Sequence, residues 1–185
     1  MIKLIIFDVD DTLVETYTSN LLPRVKAFFQ LAFQAGCPKI ALATNQGGVG
    51  MRYWMEKGGF GNPEKYPTQE EIEVRLKSIV TALGGDSRVP VYTSYRYRTQ
   101  EGDWSPVPEK AAKSPNWSVE WRKPQPGMLL QAMAEAEAAP DETLFVGDSL
   151  DDQQAAQAAG CGFAWAKDFF SRQWTDCEQL KKLTY

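Results

Sequence analysis

Residues 4–13, Leu4-Ile5-Ile6-Phe7-Asp8-Val9-Asp10-Asp11-Thr12-Leu13, constrain this chain more than any other stretch. A short unbroken run of Leu, Ile, Ile and Phe predicts a strand buried on both faces, and it is too short for a helix. Three carboxylates follow within four residues, at Asp8, Asp10 and Asp11. Charges are not tolerated inside a buried strand without compensation. The strand therefore ends where its acids enter either a metal-containing cleft or a solvated turn, for which Asp-Asp-Thr is suitable chemistry. The rest of the chain has to choose between these.

The pattern after residue 13 alternates. A polar connection, 15–20, precedes a helical face of Val25, Phe28, Phe29, Ala32 and Phe33, with Asn20 as its predicted cap and Gly36 as its end. Lys39–Thr44 reads as a second strand, running into Thr44-Asn45-Gln46 and then Gly47-Gly48-Val49-Gly50. Residues 51–68, dense in Gly and Pro, read as a long loop with at most one helical turn. Thr68-Gln69-Glu70-Glu71 is a capping box, and Ile72, Leu76, Ile79, Val80 and Leu83 follow at helical spacing. Residues 89–94 predict a third strand and 95–121 a long loop. A helix runs from Met128 to about Ala138, a strand from Glu142 to Val146, a helix capped by Ser149 or Asp148, and a strand from Gly162 to Ala166. Short helices are predicted over 168–185. Such alternation specifies an α/β fold: a Rossmann-like three-layer sandwich with a mostly parallel central sheet. The connection after the first strand is too short for a large cap domain. The 185 residues suit one domain, with loop insertions at about 46–68 and 95–121.

In open parallel sheets, ligands bind beyond the carboxyl ends of the strands. Three predicted strands end there in polar groups: Asp8 and Asp10, Thr44 and Asn45, and Asp148. The chain has no histidine, which removes Ser-His, Cys-His and His-metal chemistry. A metal here is a hard cation on oxygen, and Asp8 with Asp148 suits Mg²⁺. The available nucleophile is an aspartate, whose attack on a phosphate ester gives an aspartyl-phosphate. Lys123 offsets charge on the phosphoryl oxygens, Thr44 donates to them, and a second acid moves the proton.

These motifs resemble those of the haloacid dehalogenase (HAD) superfamily of phosphatases. The four signatures are Asp8-Val9-Asp10-Asp11-Thr12, Ala43-Thr44-Asn45-Gln46, Arg122-Lys123-Pro124 and Gly147-Asp148-Ser149-Leu150-Asp151-Asp152, in order over residues 4–165. The resemblance implies a phosphoric monoester hydrolase with Asp8 as nucleophile and Asp10 as general acid/base. Asp10 also offers its carbonyl to Mg²⁺. Asp148 is the further metal carboxylate, and Asp152 a partner of the metal's ligands or waters. Lys123 steadies Asp8 and the phosphoryl group, and Thr44, Asn45 and Arg122 contact substrate. Asp11 shapes the turn. Thr44–Gly50 and Arg122–Met128 are similar to subgroup III, which holds histidinol-phosphate phosphatases, heptose-bisphosphate phosphatases and polynucleotide 3′-phosphatase domains. The Cys/His zinc loop of many histidinol and heptose enzymes has no counterpart in 92–121.

Net charge is −4, which disfavours a general nucleic-acid binder. Residues 88–123 hold seven basic and four acidic side chains, a local excess that suits an anionic substrate. Tyr92, Tyr95, Tyr97, Trp104, Trp117 and Trp121 in this stretch either pin a loop to the domain or stack on bases; pinning is favoured. Three cysteines, Cys37, Cys161 and Cys177, lack a paired spacing and predict reduced packing residues in a cytoplasmic protein. No apolar run reaches membrane-spanning length. The expected substrate is a small phosphorylated metabolite. The alternatives are nucleic-acid 3′ ends, a phosphotransferase or mutase, and a catalytically silent binding domain.

Overall fold

The computed structural model describes residues 1–36, 38–85, 89–174 and 179. Five strands form one parallel sheet: β1 (Leu4–Phe7), β2 (Lys39–Asn45), β3 (Val91–Ser94), β4 (Thr143–Gly147) and β5 (Gly162–Trp165). Their spatial order is β3-β2-β1-β4-β5, which puts β1 in the centre and reverses the winding on either side of it. Phe7 is level with Leu42 on one neighbour and Val146 on the other. The chain therefore leaves β1, β2 and β4 at the same edge, carrying Asp8, Thr44-Asn45 and Asp148 to it together.

Strand periodicity sorts the β1 side chains between two cores. Ile5 and Phe7 face α1 (Val25–Ala35), α3 (Gln69–Ala82) and α6 (Ala166–Ser171), and Leu4 and Ile6 face α4 (Gly127–Ala136) and α5 (Leu150–Ala159). Ile5, Ile6 and Phe7 are fully buried, each worth about 1.5–3 kcal/mol relative to exposure. Phe7 sits among Phe28, Phe29, Phe169 and Phe170, with ring centroids 5.0–6.0 Å away. On the other face Ala155, Ala156 and Ala159 let α5 lie close against the sheet.

Two sequence expectations fail. Residues Gly48–Gly58 form α2, three turns of helix where a loop was predicted. The glycine cluster that suggested a loop marks the helix end: Gly59 is left-handed at φ 64°, the conformation that terminates helices. Arg52 and Glu56 pair along it at 2.9 Å. Asn20 does not cap α1; the helix starts after Arg24, itself left-handed, and Asn20 instead bonds Glu15 at 3.3 Å. The Thr68 capping box forms in full, with Glu71 N–H donating to Thr68 Oγ1 at 3.1 Å and Thr68 N–H to Glu71 Oε2 at 2.7 Å.

The 95–121 segment is packed rather than loose. Trp117 is buried against Tyr53 and Tyr95, and Tyr92 lies against Trp121. The guanidinium groups of Arg96 and Arg98 both lie over the Trp104 ring, 5.4 and 5.6 Å from its centre. Gly50 permits this docking: a Cβ there would lie 2.3 Å from the Tyr95 carbonyl oxygen. That glycine serves helix–loop contact. Cys161 is a half-buried free thiol, raised to about 11 by burial. Cys37, Cys177, Arg88 and most of the predicted helical segment beyond 174 lie outside the described residues. No helix among the described residues is long and apolar enough to cross a membrane.

Candidate active site

Asp8 continues β1 into the cleft, its N–H donating to the Val146 carbonyl of β4 at 2.9 Å. The carboxylate is buried and would be costly alone. Lys123 answers it: Nζ donates to Asp8 Oδ1 at 2.6 Å and to the Ala43 carbonyl at 2.9 Å. The same ammonium is 2.6 Å from Asp152 Oδ1. All three side chains are nearly sealed from solvent. Burial raises the Asp8 carboxyl to about 7, with Lys123 opposing and Asp152 adding to the rise. Burial works against the Lys123 charge too, but its two carboxylates outweigh burial and raise it. Burial would also raise Asp152; Lys123 and Ser149 outweigh it and hold that carboxyl below its ordinary range.

Asp152 completes the turn at the start of α5. Its Oδ2 accepts Asp148 N–H at 3.2 Å, Ser149 N–H at 3.1 Å and Ser149 Oγ at 2.7 Å. Gly147 makes room for it, since a Cβ there would fall 2.6 Å from Asp152 Oδ2. Asp152 thus ties the turn that carries Asp148 to Lys123. Asp148 itself is exposed and accepts the buried Thr12 hydroxyl at 3.4 Å. Partial burial, Asp152 and Asp11 raise its carboxyl. Carboxylate oxygens of Asp8, Asp148 and Asp152 lie within 4.8 Å of one another. Clustered anions of this kind fit a hard divalent cation. With Asp152 already engaged by Lys123 and Ser149, Asp8 and Asp148 are the carboxylates with oxygens to offer it.

Asn45 was expected at the substrate. Instead its Oδ1 accepts Lys123 N–H at 3.1 Å and its Nδ2 donates to the Lys123 carbonyl at 2.9 Å. The amide pins the backbone of Lys123 and so aims its ammonium. The Lys123–Pro124 bond is cis. Arg122 donates to the Arg96 carbonyl at 3.0 Å, and its Nη1 lies beside Gly47. These contacts tie the arginine to the 95–97 segment at the rim.

Thr44 ends β2, buried, and its Oγ1 accepts Gln46 Nε2 at 2.9 Å. Its own hydroxyl proton is therefore available to a phosphoryl oxygen. The same Gln46 nitrogen donates to Asp10 Oδ2 at 2.7 Å, so one amide links Thr44 to Asp10. Asp10 is also paired with Arg75 of α3, Nη2 to Oδ1 at 2.5 Å. Sequence reasoning missed Gln46, Thr12 and Arg75 as site residues. Arg75 had a signal: it falls three residues after Ile72 and four before Ile79, inside the apolar stripe of its helix. A charge in that stripe needs a buried partner.

Known proteins resemble this chain in sequence and in fold. The HAD-hydrolase-like family model matches residues 120–172, the span holding Arg122, Lys123, Asp148 and Asp152. The D-glycero-beta-D-manno-heptose-1,7-bisphosphate 7-phosphatase of Pseudomonas aeruginosa is 28% identical over 122 residues, covering 66% of this chain and 53% of that protein. Its namesake from Neisseria meningitidis is 30% identical over 121 residues, 65% of this chain and 50% of that protein. The chain thus spans about half the length of these curated relatives. The D,D-heptose 1.7-bisphosphate phosphatase of B. bronchiseptica, solved with magnesium and phosphate, shares the fold. Its TM-score is 0.60 at 23% identity, covering 88% of this chain and 79% of that one. With the four motifs brought to one sheet edge and these relatives alongside, the chain is similar to proteins of the haloacid dehalogenase superfamily in its 120–172 segment, in its motifs and in its fold.

Proposed function

We propose that this chain is a phosphatase that hydrolyses a phosphate monoester through an aspartyl-phosphate on Asp8. The observation that carries the reading is the buried ammonium of Lys123 held 2.6 Å from Asp8. That contact orients the nucleophile while leaving positive charge where phosphoryl oxygens arrive. Asp8 forms the new bond to phosphorus as the ester P–O bond breaks. Thr44 donates its hydroxyl proton to a phosphoryl oxygen, and Lys123 offsets the charge there. Asp10 gives a proton to the departing alcohol. It then takes one from the water that attacks the aspartyl-phosphate, which releases phosphate and restores Asp8.

Mg²⁺ fits the donor set, with Asp8 and Asp148 as its carboxylates and the Asp10 carbonyl as a further oxygen. When bound it screens the negative charge of the phosphoryl group. The relatives support a small sugar phosphate as substrate. The packing of Trp117 on Tyr53 and Tyr95 and of Trp121 on Tyr92 favours this reading over nucleic-acid ends.

The test is turnover of an aryl phosphate with Mg²⁺ present. Asp8→Asn should abolish it while leaving circular dichroism and gel-filtration behaviour unchanged. Full activity in that variant would end the proposal. A panel of sugar phosphates, nucleotides and 3′-phosphorylated oligonucleotides would then rank substrates.

A further inference from the structure

Arg75 belongs to none of the four motifs, yet it makes the closest side-chain contact to Asp10. Its Nη2 is 2.5 Å from Asp10 Oδ1, its Nη1 is 3.4 Å from Oδ2, and its Nε donates to the Thr18 carbonyl at 2.8 Å. The Tyr17 N–H reaches Oδ1 at 3.2 Å and Gln46 Nε2 reaches Oδ2 at 2.7 Å. Side-chain exposure is 13% for Arg75 and 23% for Asp10.

An ordinary surface ion pair is a simpler account, and such pairs contribute about 0–1 kcal/mol. Three features argue for more. Both partners are largely buried. The guanidinium is anchored at its other end by Thr18, so it acts as a fixed fork rather than a floating charge. And the guanidinium grips both carboxylate oxygens, each of which takes a second donor from elsewhere: Oδ1 accepts Arg75 Nη2 at 2.5 Å and Tyr17 N–H at 3.2 Å, and Oδ2 accepts Gln46 Nε2 at 2.7 Å and Arg75 Nη1 at 3.4 Å. The plane of the Asp10 carboxyl is therefore fixed from α3.

We propose that Arg75 is a positioning residue for Asp10. It holds the carboxyl in the orientation from which it passes a proton to the leaving oxygen and later takes one from water. The proposal rests on the phosphatase reading and adds to it. Its chemical consequence concerns the leaving group. As the ester P–O bond breaks and Asp8 bonds to phosphorus, an alkyl oxygen needs a proton to depart as the alcohol. A nitrophenolate departs as the stable anion without one. Misplacing Asp10 should therefore harm alkyl esters selectively.

The experiment compares the full chain with Arg75→Met and Arg75→Lys, with Mg²⁺, on a nitrophenyl phosphate and an alkyl phosphate. The quantity read is kcat/KM, which reports the half-reaction that expels the leaving group. Misplacing a general acid costs about 10²-fold or more. We expect Arg75→Met to lose on the order of 100-fold on the alkyl ester and less than about tenfold on the aryl ester. Arg75→Lys should recover part of the alkyl loss. Thermal melts verify folding, and if the methionine variant does not fold, the lysine variant on the same two esters carries the test. Equal losses on both esters in folded protein would overturn the proposal while leaving the phosphatase reading intact. If wild type hydrolyses neither ester, the phosphatase reading fails and takes this proposal with it.

Discussion

Lys123 Nζ stands 2.6 Å from Asp8 Oδ1 and 2.6 Å from Asp152 Oδ1, one buried ammonium between two buried carboxylates. The three come from the end of β1, the connection before α4 and the first turn of α5. A single cation thereby couples Asp8 to the turn that presents Asp148. Buried charges in such a triad are costly unless all members are present.

Removing the cation should therefore be worse than removing a pair. Lys123→Met is expected to destabilise by about 3–5 kcal/mol, because it strands buried carboxylates. Adding Asp152→Asn should restore much of that stability but no activity. Urea unfolding of the single and double variants measures both effects. A double variant no more stable than the single one would mean that the Lys123–Asp152 contact is not what holds the turn.

The pH dependence follows from Asp8. Its carboxyl moves from 3.8 to about 7 on folding, with burial as the main cause. A raised carboxyl binds its proton more tightly in the folded chain, so stability falls as pH rises between those values. Asp8→Asn lacks this titration. In EDTA, the melting-temperature advantage of Asp8→Asn over wild type should widen between pH 4 and pH 7 and level off above it. A constant difference across that range would refute the raised value.

Divalent cation should reverse the same penalty. Mg²⁺ at one hundred times its Kd would stabilise the folded chain by about 2.7 kcal/mol, roughly 5–10 °C for a chain of this size. Asp148→Asn should remove most of the shift, and Asp151→Asn, one turn along and exposed, should keep it. Differential scanning calorimetry with and without Mg²⁺ distinguishes these outcomes. An equal shift in both variants would place the cation elsewhere.

Asp11 tests the turn. It is left-handed, at φ 57°, and its carboxylate receives the Thr16 N–H at 3.2 Å and the Thr16 hydroxyl. Asp11→Gly should stay within about 1 kcal/mol of wild type and keep activity, since glycine adopts this conformation freely. Asp11→Val should cost about 1–2 kcal/mol or more, because a β-branched residue resists it. Thermal denaturation of the two variants decides the matter. Comparable stability would show that the turn is not held in this conformation.

Local signals in the chain carried a good deal of this. The apolar run into Asp8 marked a central buried strand, the Thr68–Glu71 box marked the start of α3, and Ser149 was one of two named caps for α5. Each is a short-range pattern, readable because its partners lie within a few residues. The α2 helix was not readable, because Gly58, Gly59 and Gly61 look the same whether they interrupt a helix or end one. The contact of Asn45 with Lys123 was not readable for another reason. An amide at a strand end suits a substrate oxygen and a neighbouring backbone equally well, and only the path of Lys123 chooses.

The amino-acid sequence by itself determined the α/β class, the edge where the acids gather and the exclusion of histidine chemistry. These follow from periodicity and from which residue types are present. The tertiary structure decided which groups touch. It placed Lys123 between Asp8 and Asp152, turned Asn45 toward a backbone, and brought Arg75 from α3 to Asp10. Those contacts join segments far apart in the chain. Their energies depend on burial and on distances of about 3 Å, which no local pattern encodes.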